Sequence, residues 1–192
     1  MPVTHGVIVD SNALSLYVNT IGRRAADIEK IVHRIRKVRR HNLKAEGQFR
    51  MYVADKTALE VGGSSGPDRQ GFPFPTETRR IELSTERDSR EYKSIITKLD
   101  ELGVGRKKNS TGDADREIVA DAFFARTARS EVATFLTADR GIILPLCNLS
   151  PACKRSIAKG TVEVDTEEGF VVEIPDHAGQ LRSLRILPLF GR

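Results

Sequence analysis

The sequence has no tryptophan, and only two cysteines and two methionines among its 192 residues. Cys147 and Cys153 are too few for a disulfide framework and lack the pattern of a zinc site, which favours a protein of the reducing cytosol. The N-terminal residues do not resemble a signal peptide, and no apolar run approaches the length that spans a bilayer. We therefore expect a cytoplasmic chain of about one domain that makes no contact with a membrane.

Basic residues are in moderate excess and are unevenly distributed. Lysine and arginine number 31 against 26 aspartate and glutamate, which gives a formal charge of +5 and favours polyanionic partners. Apolar residues at helical spacing between positions 28 and 38 predict a long helix with a basic outer face. Such a face is usually only solvated, and contact with nucleic-acid phosphates is the alternative. The candidates for phosphate contact are Arg34, Arg36, Lys37, Arg39 and Arg40, and, in a later loop, Arg106, Lys107 and Lys108.

Strand and helix patterns alternate along most of the chain. Up to about residue 143 short apolar strands alternate with amphipathic helices, an order typical of an α/β domain with a mainly parallel central sheet flanked by helices. From Thr161 onward the pattern is that of short antiparallel strands separated by turns. We therefore predict an α/β domain over 1–143 and a C-terminal β-rich extension over 144–192 that packs on the same domain.

Aspartates follow three of the predicted strands. Asp10 ends the first strand and is followed by Ser11 and Asn12, which open a helix, while Asp55 and Asp139 follow two later strands. The ligands of α/β sheets bind at the C-terminal ends of the strands, so an acid at such an end points to a ligand site. The three aspartates are therefore predicted to converge at one edge of the sheet.

A later helix, predicted from near Asp113 to about Arg129, carries further acids. Asp115 shares a helix face with apolar residues at i+3, i+4 and i+7, so we expect it to face the sheet from the first turn. Asp121 is rotated by roughly 120° from that face, at about 100° per residue, and is predicted to be peripheral or solvated. Asp113 is equally well placed to be the N-cap of the helix. The choice of inward-facing acid therefore favours Asp115, with Asp113 and Asp121 as the alternatives.

Taken together, these motifs resemble those of PIN-domain nucleases. The pattern of that family is a first strand ending in Asp, a short strand and helix carrying a Glu, an Asp opening a later helix, and a strand ending in Thr-x-Asp. The matching segments are Asp10-Ser11-Asn12, Val53 through Glu60, Asp115 with Ile118-Val119-Ala120, and Thr137-Ala138-Asp139. The resemblance covers about residues 6 to 143. It implies a PIN-like three-layer sandwich, with the β-rich extension as an addition to the family pattern.

The resemblance also implies a chemistry. Crowded carboxylates repel one another, and hard divalent cations such as Mg²⁺ or Mn²⁺ relieve that repulsion and prefer oxygen ligands. The resemblance implies that the protein uses such ions to hydrolyse RNA. Asp10, Asp115 and Asp139 would then be the metal ligands and Glu60 a fourth catalytic acid. The residues implied to hydrogen-bond around those ligands are Ser11, Asn12, Thr137, Asp113 and Asp121.

Three functional hypotheses follow from the sequence. The first is a metal-dependent endoribonuclease, with a toxin role and an inhibitory partner, an antitoxin or immunity protein, expected by analogy alone. The second is a PIN-like RNA-binding or scaffold module whose acids do not assemble. The third, a phosphatase of the haloacid dehalogenase type, also begins with an Asp after its first strand, but it requires a second Asp where this chain has Asn12.

Overall fold

The computed structural model describes residues 5–13, 49–62, 79–106, 111–126, 132–151 and 169–188. Within these ranges the chain is an α/β protein. The strands are β1 (His5–Val9), β2 (Phe49–Val53), β3 (Arg79–Arg80), β4 (Ala133–Thr137), β5 (Phe170–Pro175) and β6 (Leu181–Pro188). The helices are α1 (Asp55–Gly62), α2 (Arg90–Glu101), α3 (Asp113–Phe123) and α4 (Arg140–Cys147). Residues 11–13 are also helical.

All of these strands belong to one sheet, in the order β3-β2-β1-β4-β6-β5. Five strands are parallel, and β5 runs antiparallel to β6 at one edge. From β1 the chain first builds towards β2 and β3, and then returns to add β4 on the other side of β1. The order therefore reverses between β1 and β4, and the crevice at such a switch point is where open α/β sheets bind their ligands.

The C-terminal segment is an integral part of the sheet. The predicted antiparallel pairing is confirmed for β5 and β6, which form a hairpin. The structure differs from the expected packed extension in that β6 lies beside β4 and pairs with it in parallel over five residues. The physical reason is that β6 carries buried apolar residues on both faces, Leu184 and Ile186 on one and Leu187 on the other, which is typical of an interior strand of a parallel sheet. The predicted strand at Thr161 to Val164 lies outside the described residues.

Helix α2 shows how local sequence sets the layer that covers α3. Its N-cap is Ser89, whose hydroxyl accepts a hydrogen bond from the Tyr92 N–H at 3.1 Å. Tyr92, Ile95 and Leu99 form its buried stripe at helical spacing, and α2 packs against α3 along this face. The stripe belongs to one apolar core shared by the sheet and the helices.

Cys147, at the end of α4, is completely buried and disulfide-bonded. Cys153 lies outside the described residues. Disulfides are rare in reducing compartments, and the cytosolic location expected from the low cysteine content stays a prediction. No helix in the described ranges combines the length and apolarity needed to cross a bilayer.

Candidate functional site

Asp10 lies at the switch point of the sheet, directly after β1, and is only 1 % exposed. Its backbone N–H donates to the Leu136 carbonyl of β4 at 3.0 Å, which ties it to the neighbouring strand. Its carboxylate accepts hydrogen bonds from the Thr137 hydroxyl at 2.7 Å and from the Ser11 N–H at 2.8 Å. Burial and these donors fix the carboxylate at the C-terminal edge of the sheet.

Asp139 lies across the switch point, where β4 gives way to α4. It is the N-cap of α4, and its Oδ1 accepts a hydrogen bond from the Gly141 N–H at 2.7 Å. Its Oδ2 accepts a bond from the Asn12 amide at 3.3 Å, and its own N–H donates to the Thr137 hydroxyl at 3.0 Å. Thr137 therefore links Asp139 to Asp10 through a single hydroxyl. The capping role of Asp139 does not exclude a ligand role, because each carboxylate oxygen has two lone pairs.

Asp115 approaches the same edge from the first turn of α3. It is half-buried, and its negative charge raises the pKa of Asp10. The turn that follows α2 packs closely against its side chain, because a Cβ built on Gly105 would lie 2.6 Å from Asp115 Cβ. The structure therefore brings Asp10, Asp115 and Asp139 into one group, which we call the acid site.

The electrostatics of the acid site are unfavourable to a buried anion. Burial raises the pKa of Asp10 from its ordinary 3.8 to about 6. The Thr137 and Ser11 hydrogen bonds lower the pKa, whereas the negative charges of Asp115 and Asp139 raise it. Neutral donors therefore compensate the charge of Asp10 only in part. A cation bound between the carboxylates would supply the remaining compensation.

The donor set of the acid site is suited to a hard cation. It consists of carboxylate, amide and hydroxyl oxygens at the C-terminal ends of β1 and β4. Oxygen is the ligand atom that Mg²⁺ and Mn²⁺ prefer. In the part of the chain that the structure describes, no three His, Cys, Asp or Glu side chains form a group that could hold a metal ion. Mg²⁺ is commonly held by one or two carboxylates together with water and substrate phosphate oxygens. Asp10 and Asp139 supply two such carboxylates.

Asp121 corrects a prediction, because it is buried instead of peripheral or solvated. It has no exposed surface, and it accepts two hydrogen bonds from Arg87, at 3.0 Å and 2.7 Å, and one from the Tyr92 hydroxyl at 2.7 Å. Arg87 also donates to Asp55 at 3.0 Å. Helical phase alone missed this because α2 and the turn before it cover the face of α3 that carries Asp121. We call Arg87, Asp55, Tyr92 and Asp121 the arginine cluster.

Asp55 therefore belongs to a different group from the one predicted for it. It follows β2, and its carboxylate is bound by Arg87 and, at 3.3 Å, by Arg80. Its charge is compensated by guanidinium groups, so it has less need of a metal. Burial, and then the hydrogen bond to Asp121, raise the pKa of Tyr92, so its phenol stays protonated and donates to Asp121.

Asp113 is not the N-cap of α3, since Gly112 occupies that position and makes no side-chain capping bond. The Asp113 carboxylate is exposed and accepts hydrogen bonds from Thr111 and Arg116. The Thr111 hydroxyl and then the Arg116 guanidinium hold its pKa below the usual range. Asp113 is therefore committed to the loop before α3.

The remaining predicted residues are only partly placed. Glu60 lies in α1, but its side chain is outside the described part of the structure. Arg106 is exposed and forms an ion pair with Asp100 at 3.1 Å. Outside the described residues lie Lys107 and Lys108, and, on the predicted basic helix, Arg34, Arg36, Lys37, Arg39 and Arg40.

Sequence reasoning missed two residues that shape the site. Arg87 carries no motif and was hidden in a stretch without periodicity. Gly105 follows a helical pattern and is typical there of a helix end, and the signals for a further role are the nearby Gly112 and the acid-bearing helix. Both act through contacts between segments distant in sequence, which local patterns do not encode.

No family model matches the chain, and comparisons with the curated proteins and with solved structures also give no match.

Proposed function

We propose that the protein is a metal-dependent endoribonuclease of the PIN-like type, which hydrolyses RNA at the acid site. The observation that carries this proposal is the position of Asp10 and Asp139 on opposite sides of the switch point, joined through Thr137. A fold alone does not define a reaction, but two carboxylates held together at this edge supply the oxygen ligands that metal-dependent hydrolysis requires.

Each residue of the acid site has a distinct proposed role. Asp10 and Asp139 hold the cation, and Asp115 orients the attacking water from beside them. Mg²⁺ or Mn²⁺, when bound, would activate a water and stabilise the charge that develops on the phosphate. Asn12 and Thr137 keep the carboxylates in place by hydrogen bonds, as outer-shell groups do in metal sites.

The alternative is a PIN-like RNA-binding or scaffold module without catalysis. It would retain a basic surface but would have no use for a desolvated Asp10. The buried carboxylate, whose pKa is raised to about 6, favours the enzyme, because such perturbed groups concentrate at functional sites. The toxin role and its inhibitory partner remain predictions.

The decisive experiment is an RNA cleavage assay on the full chain with MgCl₂, MnCl₂ or EDTA. We expect cleavage only with metal, and a loss of roughly 100-fold or more in Asp10→Asn and Asp139→Asn. Lys98→Gln, at an exposed residue of α2 that pairs with Glu101, is the surface control and is expected to cleave like the wild type. Cleavage that persists in EDTA would contradict the proposal. Binding of RNA without cleavage by the wild type would instead favour the scaffold module.

A second measurement tests the metal separately from the substrate. Divalent ions that bind the native state alone raise the melting temperature with concentration. We expect MnCl₂ to raise it in the wild type and to have a much smaller effect in Asp10→Asn. Equal shifts in both proteins would place the ion elsewhere.

A further inference from the structure

The turn after α2 carries a glycine whose backbone lies directly against the acid site. Gly105 has a φ of +74°, in the left-handed region that favours glycine. It is buried, and its missing side chain leaves the space that Asp115 fills. A Cβ at this position would lie 2.6 Å from Asp115 Cβ and 3.0 Å from Asp115 Oδ2. Any side chain here would therefore push Asp115 away.

The same glycine is connected to the other side of the site. Its N–H donates to the Gly141 carbonyl at 2.9 Å, and the Gly141 N–H in turn donates to Asp139 Oδ1 at 2.7 Å. Gly105 thus lies against the Asp115 side chain and is hydrogen-bonded to the first turn of α4, which Asp139 caps. Moving its backbone would change the relative positions of both acids.

The turn around Gly105 is held from behind by a buried arginine. Arg116 of α3 donates to the Val104 carbonyl at 3.2 Å and to the Thr111 carbonyl at 2.8 Å, and it pairs with Asp100 at 3.2 Å. These bonds fix the turn against the first two turns of α3. The contact is also tight between backbones, because a Cβ on Gly112 would lie 2.5 Å from the Gly105 carbonyl carbon.

We propose that Gly105 is a positioning residue of the acid site, which sets Asp115 in register with Asp10 and Asp139. The inference rests on the proposed function and deepens it. Gly105 acts through Asp115 and Gly141 without touching a substrate. The contact with Asp115 requires the absence of a Cβ, and the bond to Gly141 requires the backbone N–H.

The first test compares three alanine substitutions on the full chain. Gly103 and Gly179 both have a φ of +77°, but a Cβ would meet only Arg106 at 3.9 Å in the first case and nothing within 4 Å in the second. Gly103→Ala and Gly179→Ala therefore report the cost of alanine at positive φ alone. Gly105→Ala adds the collision with Asp115 and a 3.0 Å approach to the Gly112 carbonyl oxygen, which the double variant below separates. We expect it to weaken MnCl₂ binding in calorimetry about tenfold or more, with RNA cleavage reduced in parallel, while both controls keep the wild-type affinity.

The second test isolates the contact itself. Asp115→Gly removes the Asp115 Cβ and Oδ2 that an alanine at 105 would strike, and leaves only the 3.0 Å approach to the Gly112 carbonyl oxygen. The fall in melting temperature caused by Gly105→Ala should therefore be smaller, by about 3 °C or more, in an Asp115→Gly background than in the wild type. This measurement needs neither metal nor substrate. Equal falls in the two backgrounds would overturn the proposal.

A third variant covers the case in which Gly105→Ala does not fold. Arg116→Lys keeps the positive charge but removes the planar guanidinium that bonds the Val104 and Thr111 carbonyls. It therefore loosens the turn that lies against Asp115 without adding a side-chain atom there. We expect it also to weaken MnCl₂ binding. If Gly105→Ala folds and binds MnCl₂ with wild-type affinity, the inference is overturned and the proposed function is unaffected. If Gly105→Ala does not fold, wild-type affinity for MnCl₂ in Arg116→Lys has the same meaning. A wild type that neither binds MnCl₂ nor cleaves RNA would remove the proposed function, and the inference with it.

Discussion

Two groups of acids lie on α3 and the strand ends around it, and they differ in how their charge is compensated. In the arginine cluster, fully buried Asp121 is bound twice by Arg87 and once by Tyr92. In the acid site, Asp10 is nearly as buried, but its donors are neutral and two neighbouring carboxylates raise its pKa further. The protein itself compensates the charge of Asp121, whereas Asp10 is costly to ionise where it lies.

Burial of an acid is therefore not in itself a sign of function. Asp121 and Asp10 are both inaccessible, yet a guanidinium makes the first a structural contact. The partners therefore separate the two cases, and the following predictions test that separation.

The largest expected effect is on the arginine cluster. Arg87→Met leaves the Asp121 charge buried without its guanidinium and is expected to lower the free energy of unfolding by about 3–5 kcal/mol. Arg80→Gln is the control, because it removes an exposed arginine from the same Asp55 and should cost less than about 1 kcal/mol. Urea unfolding measures both. Similar values for the two variants would show that Asp121 does not depend on Arg87.

The next effect concerns the pH dependence of the acid site in metal-free buffer. The pKa of Asp10 is raised to about 6 in the folded chain, above the 3.8 of an exposed aspartate. The native state therefore binds more protons between these values, and Asp10 destabilises it progressively as the pH rises from about 4 to 6. The loss amounts to about 3 kcal/mol, since one pKa unit corresponds to roughly 1.4 kcal/mol.

Asp10→Asn tests this contribution, because the carboxylates remote from Asp10 titrate alike in both proteins. The stability of the variant relative to the wild type should rise by that amount between about pH 4 and pH 7. Urea unfolding across this range measures the difference. A difference that does not change with pH would mean that Asp10 is not desolvated as described.

A smaller effect is expected at the hydroxyl that joins the two acids. Thr137→Val removes the donor to Asp10 and the acceptor of the Asp139 N–H, both buried, and should cost about 1–3 kcal/mol. It should also raise the pKa of Asp10 further. Thr134→Val, on the same strand, is the control and should be close to neutral. Urea unfolding compares the stabilities of the two variants, and its pH dependence compares the titration of Asp10 in them. Equal effects of the two substitutions would show that Thr137 does not connect the two acids.

The smallest effect is expected at the rim of the arginine cluster. Lys56 and Glu117 are partly exposed and their charged atoms lie 3.6 Å apart. Lys56→Gln should lower stability by less than about 1 kcal/mol, and added salt should reduce even that. Unfolding at low and high ionic strength measures it. A larger, salt-insensitive loss would extend the essential part of the cluster to Lys56.

Much of the fold was predictable because its signals are local. Apolar runs ending in aspartate predicted β1 and β4, and helical spacing predicted the start of α3. The place of β6 beside β4 was not predictable, because strand order depends on which partner buries an apolar strand. The end of α3 was also placed too late in the sequence, since it stops at Phe123, where its C-cap Phe124 follows.

The candidate site divides in the same way. The sequence predicted that Asp10, Asp115 and Asp139 would approach one another, from strand ends and helix phase. It also predicted that Asp55 would join them, whereas the structure binds Asp55 to Arg80 and Arg87. Side-chain pairing between distant segments decides such cases, and no local pattern contains it.

The ends of the strands and the acids that stand there follow from short-range periodicity and can be predicted from the amino-acid order. The pairing of Asp55 and Asp121 with arginine, and the cost of ionising Asp10, depend instead on how distant segments pack together. The reason is that compensation depends on distances of a few ångströms between residues that are up to 127 positions apart, as for Thr137 and Asp10.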